Sequence, residues 1–155
     1  MIVNKITGKL ENTDKKIDKV TLEWFELEKK RFRKTSENGV EIGICVDEAL
    51  EDGDILFEDE TTVISVEVAP CEILKINAGT MKDMGRLCFE LGNRHRTLAI
   101  FDDCVKVPYD STDCIYLAHL GFAVEKTLEK FTDFTVCKAH GNSDGHSHDS
   151  HHHEH

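Results

Sequence analysis

No run of about 18 apolar residues occurs in the chain, which leaves no candidate for a membrane-spanning helix. The opening Met1-Ile2-Val3-Asn4-Lys5-Ile6 lacks the longer apolar core of a secretory signal, so a cytoplasmic protein is expected. Positive charge is scarce: 19 lysines and arginines face 30 aspartates and glutamates, a net charge of −11. Nucleic acid and anionic membrane surfaces both need a basic patch, so neither is an expected partner, whereas a cation is. The one basic run, Lys29-Lys30-Arg31-Phe32-Arg33-Lys34, reads as a solvated hairpin strand. There is no Gly-x-Ser-x-Gly elbow, no His-Glu-x-x-His and no phosphate-binding glycine loop, and an enzyme is not expected. The six cysteines, at 45, 71, 88, 104, 114 and 137, form no Cys-x-x-Cys pair and no zinc-finger spacing, and read as free thiols. Cys88 and Cys114 sit among apolar helix positions as small hydrophobes. Cys137, close to the histidine-rich end, stays open to a metal or redox role.

What is present divides near residue 70. At 155 residues and 39% hydrophobic content the chain can build one ordinary domain or two small ones. Residues 1–70 carry strand signals: Val20, Leu22 and Trp24 alternate with polar residues, as do Val40, Ile42, Ile44 and Val46. Asn38-Gly39 suits a tight hairpin turn, Asp52-Gly53-Asp54 turns the chain into Ile55-Leu56-Phe57, and Thr61 to Val68 is β-branched. A small antiparallel β domain is expected. Residues 71–139 alternate strand and helix: Ile73 to Ile76, a helix capped by Thr80 and stopped by Gly92, Leu98 to Ile100, Val105 to Val107, a helix capped by Asp110 with Asp113 and closed by Gly121, then Phe122 to Val124. The order β-α-β-β-α-β is that of a ferredoxin-like fold, making the whole chain α+β. Residues 140–155 have no apolar run and are expected to be a flexible, disordered tail.

The chemistry concentrates at two places. His95 falls between the first helix and the strand after it, a junction where a side chain is held yet projects outward; it reads as a ligand or as a polar residue bonded to nearby backbone. The tail carries His140, His146, His148, His151, His152, His153 and His155 with Asp144, Asp149 and Glu154 between them. Several imidazoles on one segment can wrap a divalent ion, and the interrupting acids and serines distinguish the segment from a purification tag. His119, in an apolar stretch of helix, reads as partly buried and not a ligand, and Arg94 and Arg96 as orienting or surface residues, since a guanidinium has no acceptor lone pair.

Phe89-Glu90-Leu91-Gly92-Asn93-Arg94-His95 with Leu98-Ala99-Ile100, Val107-Pro108-Tyr109-Asp110 and the Gly145-His146-Ser147-His148 of the tail resemble the UreE family of urease accessory proteins. So do Glu41-Ile42-Gly43-Ile44 and Asp52 to Asp59. The resemblance implies a cytoplasmic nickel metallochaperone, a homodimer that delivers nickel for assembly of the urease active site. The implied partners are the urease apoprotein and other urease accessory proteins, including the nickel-inserting GTPase. It also implies an N-terminal partner-contact domain and a ferredoxin-like metal-binding and dimerisation domain, with His95 of two chains sharing one ion and tail histidines adding ligands. Some relatives carry further histidines after the third strand of that domain; Val105 to Asp113 has none. Nickel is the expected cargo, and the affinity order for such ligands lets zinc or copper substitute in vitro. The alternative is a general store or buffer of divalent nickel, zinc or copper.

Overall fold

The structure, a computed structural model, describes residues 1–135. The seven tail histidines and Cys137 lie outside the described residues. Seven strands form the first half: β1 (Ile2–Val3), β2 (Gly8–Lys9), β3 (Lys16–Leu22), β4 (Arg31–Thr35), β5 (Glu41–Cys45), β6 (Asp54–Glu58) and β7 (Thr62–Val68). They make two sheets, ordered β1-β5-β4 and β2-β6-β7-β3. The alternation in β3 and β5 turns Val20, Leu22, Ile42 and Ile44 inward, where they meet Val66 and Val68 of β7. Each such side chain, fully withdrawn from water, contributes roughly 1.5–3 kcal/mol.

Three local expectations for this half are corrected. It is β-rich, but β3 pairs with β7 in parallel through seven residues and β1 with β5 in parallel through two, so the sheets are mixed rather than antiparallel. Alternating burial looks the same in either direction, which is why the pattern did not reveal it. Trp24 is not on a strand: the Glu23 backbone N–H donates to the Glu26 carboxylate at 3.0 Å, and this box starts a 3-10 turn at Trp24–Glu26. In the β4–β5 turn only Gly39 has a left-handed backbone, φ +85°. The turn closes through Ser36 N–H to Val40 O and Gly39 N–H to Ser36 O. Asp18, buried in β3, ties this turn down by accepting from the Ser36 hydroxyl at 2.7 Å and the Asn38 N–H at 3.1 Å.

The second half runs β8 (Pro70–Asn77), α1 (Met81–Asn93), β9 (Ala99–Ile100), β10 (Cys104–Pro108), α2 (Ser111–His119) and β11 (Val124–Lys130). The last strand therefore starts at Val124, where Phe122 to Val124 was expected. Its sheet order is β11-β8-β10-β9 with every pair antiparallel, the ferredoxin-like arrangement the turn signals predict. Leu87 and Leu91 of α1 and Leu117 of α2 close over Leu74, Ile76, Val105 and Val107. After β11 the chain doubles back: Phe131 and Phe134 stack on each other and meet the Trp24 ring edge-on, 5.2 and 5.7 Å away between centroids. Lys130 reaches both carboxylate oxygens of Asp52 at 3.0 Å. These contacts join the last strand to the first half of the chain.

Candidate metal centre

Helix α1 begins where Thr80 accepts from the Asp83 N–H at 3.1 Å, and it buries Leu87 and Leu91 as its apolar spacing requires. Its end differs from expectation. Gly92 lies within the helix, which continues through Asn93 with Arg94 as C-cap, and the left-handed position belongs to His95, φ +55°. The His95 N–H donates to Gly92 O at 3.0 Å and the Arg96 N–H to Leu91 O at 3.1 Å, the paired bonds of a Schellman motif. Helix α2 closes identically, Gly121 N–H to Ala118 O and Phe122 N–H to Leu117 O, with Gly121 at φ +93°. Glycine takes that conformation without steric penalty. An L-residue pays roughly 1–2 kcal/mol for it, so the surroundings must hold His95 there.

The residues on either side of His95 supply the hold. Asp113, fully buried in the first turn of α2, receives the Arg94 Nε–H on Oδ1 at 2.7 Å. Arg96 Nε stands 2.6 Å from Oδ2 as an ion pair, off the direction of a hydrogen bond, so Oδ2 has charge compensation but no aligned donor. Arg94 also lies over the Tyr116 ring, 4.7 Å from its centre, and the Tyr116 hydroxyl donates to Glu90 at 2.7 Å. That bond to a carboxylate pushes the Tyr116 phenol up. Asp110, which caps α2 by accepting from the Asp113 and Thr112 N–H groups, is held below the usual carboxylate range by those bonds and by Arg96 and Arg94, against burial. Carrying α1 past Gly92 brings Arg94 to Asp113, a pairing that an earlier stop would forgo. Of the two readings for Arg94 and Arg96, orienting or surface residues, these pairings fit the first. Asp113 as their shared anchor was missed, since its place in the sequence announced only a helix cap.

His95 is solvent-exposed and lines a cleft of about 440 Å³ with Thr97 and Leu98 beside it and Trp24, Phe25 and Phe134 across. The Thr135 N–H donates to Leu98 O at 2.7 Å, so the chain passes this cleft on its way to residues 136–155. The sequence carries no sign of this aromatic wall, because Trp24 and Phe25 lie in the first half of the chain. His119 is exposed at the far end of α2 from Asp113, where partial burial was expected. Burial pushes the Cys71, Cys88 and Cys104 thiols up. Among the described residues no three His, Cys, Asp or Glu side chains converge as a ligand group. No described helix is long and apolar enough to cross a membrane.

Comparison with known proteins bears on the whole length. The family model for the UreE urease accessory protein N-terminal domain matches residues 3–69, and that for the C-terminal domain matches residues 71–155. A urease accessory protein UreE of Bifidobacterium longum subsp. infantis is 39% identical over 144 residues, covering 90% of this chain and 65% of that protein. One from Acetivibrio thermocellus is 35% identical over 153 residues, covering 96% of this chain and 100% of its own length. A third, from Flavobacterium johnsoniae, is 30% identical over 155 residues, covering 95% and 94%.

Proposed function

The chain belongs to the UreE family of urease accessory proteins, and from that premise we propose that it binds nickel and delivers it for assembly of the urease active site, without catalysing a reaction itself. The observation that carries this reading is His95: an exposed imidazole on a strained, braced backbone, beside the path of the chain toward seven further histidines. One imidazole holds an ion weakly. A second copy of the chain supplies another if the two-fold axis passes near His95.

Helix α1 favours that arrangement. Met81, Gly85, Cys88, Phe89 and Gly92 fall on one stripe of the helix that leads to His95. Met81 is 92% and Phe89 66% exposed, and a Cβ at Gly85 or Gly92 would meet nothing within 4 Å. Apolar side chains flanking small residues let a second helix approach closely, so a homodimer formed on this face would bring the two His95 side chains together. Tail histidines then complete the coordination. His140 is five residues past Thr135, within reach of the cleft at about 3.3–3.6 Å per extended residue.

An open set of imidazole ligands suits transfer better than a closed structural cage. Imidazole sites also take zinc and copper in vitro, so nickel selectivity rests on partners and supply in the cytoplasm. The β-rich first half is the proposed contact surface for the urease apoprotein and other urease accessory proteins, including the nickel-inserting GTPase. The test is nickel titration calorimetry of the wild type and of His95→Gly, a substitution compatible with the left-handed backbone. The tight site is expected to vanish in the variant while weaker tail binding persists. An unchanged tight site would leave a histidine-tailed metal buffer as the better description.

A further inference from the structure

Strand β4 is the outer strand of the β1-β5-β4 sheet and, among the described residues, pairs only with β5. Its register, with Val46 N–H to Lys30 O and Ser36 N–H to Val40 O flanking it, sets which backbone groups face inward. Bonded residues alternate along an antiparallel pair, so Lys30, Phe32, Lys34 and Ser36 face β5. The N–H and C=O groups of Arg31, Arg33 and Thr35 therefore point away from the sheet, and none of them has another backbone partner among the described residues. All three residues are exposed.

The charges along this edge are unequal in their use. Lys34 and Lys29 are paired with Glu26, at 2.7 and 3.7 Å. Lys30, Arg31 and Arg33 form no ion pair among the described residues. Opposite Arg33 stands Gly43, and a cleft of about 300 Å³ beside the pair is bordered by Ile2, Arg33, Thr35 and Glu41. On a chain of net charge −11, this is a cationic strand edge with unspent hydrogen-bonding capacity.

We propose that the free edge of β4 docks an extended acidic segment of a partner protein, which adds to the β1-β5-β4 sheet as a further strand. The outward backbone groups supply the ladder, and Arg31 and Arg33, two residues apart on one face, match carboxylates at the same alternate spacing. Edge charge of one sign guards a sheet against pairing with its own copy. That same charge attracts a strand of opposite sign, whereas the rest of this acidic surface repels it. The inference rests on β4 alone and stands or falls independently of nickel binding.

The test uses the full chain, isotopically labelled, and the blocked peptide Thr-Glu-Val-Glu-Val-Glu-Thr. Two controls accompany it: the same peptide with lysine for glutamate, and one N-methylated at alternate amides. Nuclear magnetic resonance should show shifted and exchange-protected amides at Arg31, Arg33 and Thr35 with the acidic peptide. Neither control should bind. Arg31→Ser with Arg33→Ser, and separately Arg33→Glu, should weaken binding about tenfold or more with unchanged circular dichroism. Equal binding by the lysine peptide, undiminished binding after N-methylation, or unperturbed amides on β4 would each overturn the proposal.

Discussion

Arg94, the C-cap of α1, and Asp113 of α2 meet at 2.7 Å, and with Arg96 on the other carboxylate oxygen they clamp the backbone of the residue between the two arginines. Removing the buried carboxylate leaves two guanidiniums that are about a third exposed and can turn to water, which moderates the loss. Asp113→Ala should lower stability by about 1–3 kcal/mol and, because His95 loses its brace, weaken the tight nickel site about tenfold. Urea unfolding and nickel titration measure the two effects. Full nickel affinity in Asp113→Ala would remove the brace from the account.

The left-handed backbone at position 95 gives a second expectation. His95→Gly should be more stable than His95→Ala by about 1 kcal/mol, because alanine keeps the steric conflict that glycine lacks. Chemical denaturation of both variants decides it. Alanine equal to or better than glycine would mean that α1 does not end as described.

Acid sensitivity has an identifiable contributor in the first half. Burial raises the Glu26 carboxyl, but the Lys34 hydrogen bond and the Glu23 N–H outweigh it, and its net position is below the ordinary value of 4.5. A carboxyl depressed by folding contributes stability that is complete above its unfolded pKa and is lost as pH falls through its folded pKa. Wild-type stability should therefore decline below about pH 4.5, and Glu26→Gln should flatten that decline while lowering stability at pH 7. Urea midpoints from pH 3 to 7 provide the comparison, and parallel curves for the two proteins would contradict it.

Much of the second half was legible because its punctuation is local. Thr80 and Asp110 cap helices and Gly121 closes one, so the apolar runs between these signals separate into strands. The end of α1 was not legible, since Gly92 and Asn93 both suit a helix stop and only the distant Asp113 rewards carrying the helix past them. Trp24 was misplaced for a related reason: its alternation with Leu22 fits a strand, but the Glu23–Glu26 box prevails over it. The aromatic cleft beside His95 joins residues more than 70 apart in the chain and has no signature in either segment. The His95 motif itself was visible, because a histidine after a helix stop is unusual enough to single out, though its conformation was not.

Two chains are proposed to share one nickel ion through His95. Native mass measurement of the protein truncated after residue 139, titrated with nickel, counts chains and ions together. Two chains carrying one ion are expected, with His95→Gly in the same background giving two chains and no tightly held ion. One ion per single chain, or an ion retained by the His95→Gly dimer, would contradict the shared site.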